Sequence, residues 1–390
     1  MHIKVRLTEN RIREWVNEYG EDGVYVAFSG GKDSTVLLDI ARRLYPNLKA
    51  MFVDVPTQFP ELRQFVQTFP NVDIVKPKMS FPKVCEMYGF PIISKEVSES
   101  VYGARRYIEQ LIESGIISTD GEVNKKFKYH YFYENVCGTG QYAKDNDAPD
   151  KLEKIMNQRI INKEGGSNTR LALMLGWSTM NSEKPVQKDA KGHNKSKYSH
   201  TKYKFFLKAP FEISSSCCNI MKKNPSHQYG KKTGRYAITA QMADESRLRT
   251  QKWLMNGCNG FNMKRPTSNP MSFWTEQDVL EYIVAYNIPI CSVYGEVVPD
   301  NGAEFDEQIS IWDLGLMKDT RKLKTTGCSR TGCVLCGFGV HLEENPNRFE
   351  QLKETHPKMY QLLDLCKNNG ITYREAIDWI NEHGNINIKY

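Results

Sequence analysis

Ser29-Gly30-Gly31-Lys32-Asp33-Ser34 places two glycines, two hydroxyls, an ammonium and a carboxylate in consecutive positions. Backbone N–H groups of such a loop, followed by a helix N-terminus, form an anion site. Glycine lets the main chain approach a phosphate where a Cβ would clash. Ser29 and Ser34 can donate hydrogen bonds to the same anion, and Lys32 adds positive charge. The pattern G-x-x-x-x-G-K-[ST] is absent, so this is not a Walker loop. A second reactive set is built from sulfur. The chain holds 10 cysteines, among them the adjacent Cys217-Cys218 and the pair Cys333 and Cys336 in a CxxC. Adjacent cysteines pair with each other only under strain. In a reducing compartment the spacing favours metal or redox chemistry over a disulfide framework. Four thiolates suit Zn²⁺ and a [4Fe–4S] cluster alike. Cys328 and His341 flank the CxxC as substitutes.

The elements that must position these groups follow from periodicity. Residues 24–28 are apolar, β-branched and aromatic, and predict a buried strand. Beyond the loop, Val36, Leu37 and Ile40 fall at helical spacing. A short amphipathic helix is expected over residues 11–19, strands over 49–54 and 72–76, and a helix over 61–68. Strands alternating with helices predict an α/β fold, a Rossmann-like parallel sheet with helices on both faces. Its ligand crevice lies at the strand ends, where the loop sits. Asp54 ends the second strand, where an acid meets an adenosine ribose or base, or caps the next helix. Ser94 is a candidate N-cap, and Lys95 beside it can face phosphate or water.

Residues 104–175 read as a mainly helical insertion with turn-rich pieces over 138–150. Residues 176–204 are Lys-rich: Lys184, Lys188, Lys191, Lys195, Lys197, Lys202 and Lys204 interleave with His193, Tyr198, His200 and Tyr203. This is a nucleic-acid surface or a solvated loop. Residues 205–211 are apolar, and 236–240 read as a strand. Thr275 is a candidate N-cap with Asp278 three residues on. Residues 305–316 carry no clear pattern. Residues 327–341 form a cysteine-rich loop, and helices begin near Arg348 and Tyr373. The expected division is 1–103 and 205–300 for the nucleotide-binding domain, 104–204 for the insertion, and 301–390 for a cysteine-rich, helical C-terminal part.

Composition narrows the function classes. With 390 residues, 40% hydrophobic and 25% charged, the chain is an ordinary globular protein of one large core or two domains. No run of 18 apolar residues occurs, so no membrane partner is expected. The start, Met1-His2-Ile3-Lys4-Val5-Arg6, lacks a signal-peptide apolar region, and a cytoplasmic location is the expectation. The net charge of +7 is compatible with nucleotide or nucleic acid.

Between a strand and a helix, SGGKDS resembles the PP-loop of the ATP-pyrophosphatase superfamily. Three further stretches, in order, resemble its phosphoadenosine-phosphosulfate (PAPS) reductase family: CCxxxKKxP from Cys217, ITAxxADESRLR from Ile238, and SFWTEQDVLEYI from Ser272 followed by GCVLC. The resemblance implies an adenine nucleotide, ATP or PAPS with Mg²⁺, held by Ser29, Gly30, Gly31, Lys32, Asp33, Ser34, Asp54 and Lys95. Arg247 and Arg249 resemble the family's phosphate- or sulfate-binding arginines, a task suited to a guanidinium fork; helix-surface ion pairing is the other use of such residues. It implies Cys217, Cys218, Cys333 and Cys336 as ligands of a [4Fe–4S] cluster, preferred over Zn²⁺ on that ground alone. Two departures matter. The family's Glu-Cys-Gly-Leu-His tail is not present in Gly384-Asn385-Ile386-Asn387-Ile388-Lys389-Tyr390, and the loop is whole, as in ATP-cleaving relatives. The expectation is therefore an enzyme that splits ATP to AMP and pyrophosphate and adenylates an acceptor for sulfur transfer. Lys32 would steady the pyrophosphate and Asp33 would help place Mg²⁺. DNA or tRNA would be the acceptor, with a sulfur-donor protein as partner. The alternatives are a PAPS or adenylylsulfate reductase releasing sulfite, and a nucleotide-binding regulatory module with a structural metal.

Overall fold

A computed structural model describes residues 2–113, 170, 174, 200–300 and 322–390. The expected turns over 138–150, the body of the helical insertion, the Lys-rich run from Lys184 to Lys197 with His193 and Tyr198, and residues 305–316 lie outside the described residues. The chain divides into two compact units, each made of two stretches: 1–80 with 219–334, and 81–218 with 335–390. Residues 81–103, expected with the nucleotide-binding part, belong to the second unit.

The first unit is built on a six-stranded sheet. Its strands in chain order are β1 (Val24–Ala27), β2 (Ala50–Val53) and β3 (Val72–Val75); β4 (Ile92–Ile93) belongs to the second unit; β5 (Tyr236–Ile238), β6 (Asn259–Gly260) and β7 (Thr267–Ser268) complete the sheet. The spatial order is β3-β2-β1-β5-β7-β6. All neighbours are parallel except the antiparallel pair β6 and β7. Strand alternation sorts the side chains. Val24, Val26, Ala50 and Phe52 enter one buried cluster with Val5, Ile12 and Trp15 of the helix His2–Tyr19, Val36, Leu37 and Ile40 of the helix Lys32–Leu44, and Val279, Leu280 and Ile283 of the helix Glu276–Ala285. Tyr25 and Met51 point the other way and pack with Tyr229 of the helix Asn224–Thr233. Helices therefore cover both faces, as the apolar runs predict.

Local signals hold where they are short-range. Thr275 caps the helix Glu276–Ala285: its hydroxyl accepts from the Asp278 N–H, and the Asp278 carboxylate accepts from the Thr275 N–H at 2.6 Å. The first helix runs from His2 rather than from residue 11, because Val5 and Thr8 are buried in the same stripe as Ile12 and Trp15. Thr8 also accepts from the Trp274 indole at 2.9 Å.

The second unit packs aromatic rings around Tyr373, which opens the C-terminal helix Tyr373–Gly384. Its ring stacks on Phe90 at 4.7 Å. Its hydroxyl donates to the Pro91 carbonyl at 2.9 Å and accepts from the Gly337 N–H at 3.1 Å. Those two contacts tie together the parallel pair of β4 with the strand Gly337–Phe338. Ser94 caps the helix Lys95–Glu113, its hydroxyl accepting from the Val97 N–H at 3.1 Å. The helix Arg348–Thr355 starts where expected and is capped by Asn347. No helix among the described residues is long and apolar enough to cross a membrane.

Candidate functional site

The sheet order reverses at β1: β2 and β3 lie on one side of it and β5 on the other. In open parallel sheets the crevice at such a reversal, beyond the carboxyl ends of the strands, receives ligands. A cavity of about 440 Å³ opens there, wholly within the first unit. Ala27, Met51 and Val53 at the ends of β1 and β2 give it an apolar wall. Ser29, Gly31, Lys32, Asp33 and Ser34 line it from the loop, and Thr239, Ala240 and Gln241 from the segment after β5. This volume lies in the usual range for a small-molecule site.

The loop is braced by its own hydroxyls. The Ser34 hydroxyl accepts from the Ser29 N–H at 3.1 Å and donates to the Gly31 carbonyl at 2.9 Å. The Ser29 and Ser34 oxygens are 2.9 Å apart, and Ser29 accepts from the Gly31 N–H at 3.3 Å. Two of the loop's N–H groups are thus turned inward, and the serines expected on the anion hold the loop's shape. Gly30 has φ +74°, and a Cβ there would meet Val66 at 3.0 Å, so both conformation and space demand glycine. Gly31 has an ordinary φ of −76°. Its missing Cβ matters because Thr331, Ser29 and Tyr294 oxygens lie 3.1–3.2 Å from where it would sit.

Lys32 is buried, with its ammonium 2.9 Å from the Glu276 carboxylate and donating to the Ser329 carbonyl at 2.7 Å. Its backbone N–H donates to the Tyr294 hydroxyl at 3.2 Å, and that hydroxyl bonds Thr331 at 2.7 Å. Burial pushes the Tyr294 phenol up to about 12, so it stays neutral. Asp33 is half-buried in the same wall. Its Oδ1 is buried without a hydrogen-bond partner. Burial raises its carboxyl above the usual range, against the pull of Lys32, Arg330 and Arg249. Arg249 sits in the same wall, paired with Glu245, and its guanidinium is lowered first by burial and then by the like charge of Arg330. An unpartnered carboxylate oxygen among cationic side chains can receive a hard cation or a donor group of a ligand.

Other expected residues fall elsewhere. Asp54 is buried but neither lines the cavity nor caps the next helix; its Oδ1 accepts from the Arg63 guanidinium at 2.6 and 2.9 Å. Arg247 is exposed on the helix Arg247–Asn256 and does not line the cavity. Lys95 is exposed at the start of its helix in the second unit. Cys217, Cys218 and Cys336 belong to the second unit and Cys333 to the first. Within the second unit, burial pushes the Tyr373 phenol well above its ordinary value, and negative charge on Cys336, Cys85, Cys217 or Cys366 would push it further; Cys85 and Cys366 are outside the expected set. The donor set suits a soft metal, yet among the described residues no group of three or more His, Cys, Asp or Glu is placed to hold one. None of the nine described cysteines is in a disulfide.

Tyr294, Thr331 and Arg330 complete the site and were not legible as site residues: they come to the loop from more than 260 positions away, and no quoted motif contains them. Glu276, which pairs with Lys32, lies within the SFWTEQDVLEYI stretch, but nothing there pointed to that partner. Lys222, which also lines the cavity, was legible as part of CCxxxKKxP.

The adenosine 5'-phosphosulfate reductase of Neisseria meningitidis serogroup B is 27% identical over 121 residues, which is 31% of this chain; the chain spans 46% of that relative's length. Among solved structures, the phosphate complex of phosphoadenylyl-sulfate (PAPS) reductase from Candida auris aligns with 83% of this chain and 90% of its own at 12% identity, with a TM-score of 0.33. The phosphoadenosine phosphosulfate reductase domain matches residues 23–89 and 174–337, more than half of the sequence and the whole of the strand–loop–helix at the cavity, and the chain belongs to that family.

Proposed function

We propose that the cavity binds an adenine nucleotide and that the enzyme cleaves ATP between its α and β phosphates. An acceptor oxygen attacks the α-phosphorus, the bond to the β-phosphate oxygen breaks, and pyrophosphate leaves with that electron pair. A sulfur donor then displaces AMP from the acceptor carbon or phosphorus. The observation that carries this reading is the undegraded loop at the sheet reversal, with Lys32 buried beneath it and Asp33 Oδ1 left without a partner in a wall that also holds Arg249 and Arg330.

Lys32 would exchange Glu276 for the departing pyrophosphate, and Arg249 and Arg330 would offset the remaining charge. The apolar wall of Ala27, Met51 and Val53 suits a base. The unpartnered Asp33 oxygen fits Mg²⁺, which would neutralise phosphate charge when bound. Cys217, Cys218, Cys333 and Cys336 are proposed as ligands of a [4Fe–4S] cluster, with Zn²⁺ as the alternative, and none of the steps above depends on them. A nucleic acid, DNA or tRNA, is the proposed acceptor, a sulfur-donor protein the proposed partner, and the cytoplasm the proposed location.

A second reading has its own support. The stretch similar to an adenosine 5'-phosphosulfate reductase favours reductive release of sulfite from a sulfonucleotide. Anaerobically purified protein incubated with ATP separates the two: AMP and pyrophosphate support the first. Sulfite released from PAPS or adenylylsulfate with a dithiol, and no AMP from ATP, supports the second. Iron, sulfide and zinc analysis of the same preparation tests the metal.

A further inference from the structure

The helix Arg247–Asn256 buries no residue, which sets it apart from the sheet-covering helices of the same unit. Leu248 is 71% exposed, Leu254 77% and Met255 82%. A ten-residue helix is marginal on its own in water, so one without a buried face gains from a surface that covers it. Between Glu245 and Glu276 the chain carries no acidic residue, while Arg247, Arg249, Lys252, Lys264 and Arg265 all fall there. Arg249 lines the nucleotide cavity, where it pairs with Glu245, and Arg247, Lys252 and Lys264 are exposed beyond it, so the cationic stretch runs out from the candidate site itself.

We infer that this helix is a docking surface for a single-stranded nucleic acid, whose phosphates meet the cations and whose bases cover the exposed apolar side chains. The inference rests on the reading of the site as one that activates a nucleic-acid acceptor. Charge complementarity selects a polyanion, and the distribution of apolar residues selects among polyanionic surfaces. Leu248, Lys252 and Met255 stand at spacings of four and three and share one side of the helix. Trp253 and Leu254 lie on other sides. A helix that enters a lipid headgroup layer gathers its apolar residues on one face and its charges on the opposite one. Here a lysine stands between two apolar side chains, so charge and apolar contact alternate along one side instead of parting to opposite faces, and a chain of alternating phosphate and base can meet both.

The test uses the full chain and a fluorescein-labelled single-stranded DNA oligonucleotide of mixed sequence, read by anisotropy. Binding should weaken linearly in log–log form as salt rises from about 50 to about 200 mM, and Lys252→Gln should lower that slope by about 0.7. Leu248→Gln with Met255→Gln should weaken binding about fivefold or more while leaving the slope in place. All three side chains are exposed, so folding should be intact; circular dichroism checks it. No binding at low salt, or a slope and affinity untouched by both variants, overturns the inference. So does co-sedimentation with phosphatidylserine vesicles, or self-association in sedimentation velocity, that the apolar variant abolishes and the oligonucleotide does not compete. AMP release from ATP in the same preparation reports on the site separately. Lost binding with intact AMP release overturns the surface alone; binding without AMP release upholds the surface and overturns the site reading.

Discussion

Gly31→Ala is the sharpest probe of the loop. The new Cβ would stand 3.1 Å from the Thr331 hydroxyl and 3.2 Å from those of Ser29 and Tyr294. It meets these side chains first. Relief needs a shift of a few tenths of an ångström. The bonds at risk are already long: Lys32 N–H to Tyr294 at 3.2 Å and Gly31 N–H to Ser29 at 3.3 Å. Losing them costs about 1 kcal/mol each, and more for a buried N–H left bare. The reduced freedom of the unfolded chain returns about 0.4–1 kcal/mol. A net destabilisation of about 1–2 kcal/mol is expected in urea unfolding. Because the same groups frame the loop, ATP affinity by calorimetry should fall about tenfold, the equivalent of roughly 1.4 kcal/mol. Tyr294→Phe removes one of the crowding oxygens. The double variant should therefore be less destabilised than the sum of the singles, by about 0.5 kcal/mol or more. Additivity within about 0.3 kcal/mol, or unchanged ATP affinity in a folded Gly31→Ala protein, would refute the packing argument.

Three further outcomes are expected. The carboxyl of Asp33 is raised in the folded state, so its protonation favours folding: that contribution is whole below about pH 4 and is lost as pH climbs through the raised value. Asp33→Asn should thus be more stable than the parent at pH 7, with the gap closing toward pH 3, and should abolish ATP cleavage; a pH-independent gap in urea midpoints contradicts this. Glu276→Gln removes the carboxylate that occupies Lys32, and ATP should bind severalfold tighter at low salt in calorimetry, with a loss of stability held to about 1 kcal/mol because Glu276 is 43% exposed. Tyr373→Phe strips the hydroxyl that joins Gly337 and Pro91, and should lower stability by about 1–3 kcal/mol in urea unfolding, without changing nucleotide affinity.

Much of the site's frame was legible along the chain because it is local. A β-branched run, two glycines and a helical apolar stripe within twenty residues specify a strand, a turn and a helix whatever surrounds them. The unbroken apolar run over residues 24–28, with strands alternating with helices beyond it, sufficed to predict a parallel sheet covered on both faces. Thr275 with Asp278, and Ser94, announced their caps for the same reason: partner and acceptor are three residues apart. The remainder is set by contacts that spacing does not encode. Asp54, just past the second strand, is held by Arg63 and does not line the cavity. Lys32 finds Glu276 and the Ser329 carbonyl, Gly31 is crowded by Tyr294 and Thr331, and Arg249 faces Arg330. The cysteines make the same point from the other side. CxxC reads as one site, yet Cys333 and Cys336 belong to different units, while Cys85 and Cys366, unremarkable in the sequence, lie close enough for their charge to bear on the same buried phenol as Cys217 and Cys336. Chain-local preferences determine elements and caps; which charges, hydroxyls and thiols meet is decided when the sheet brings distant segments to one edge and burial leaves each polar group only the partners within reach.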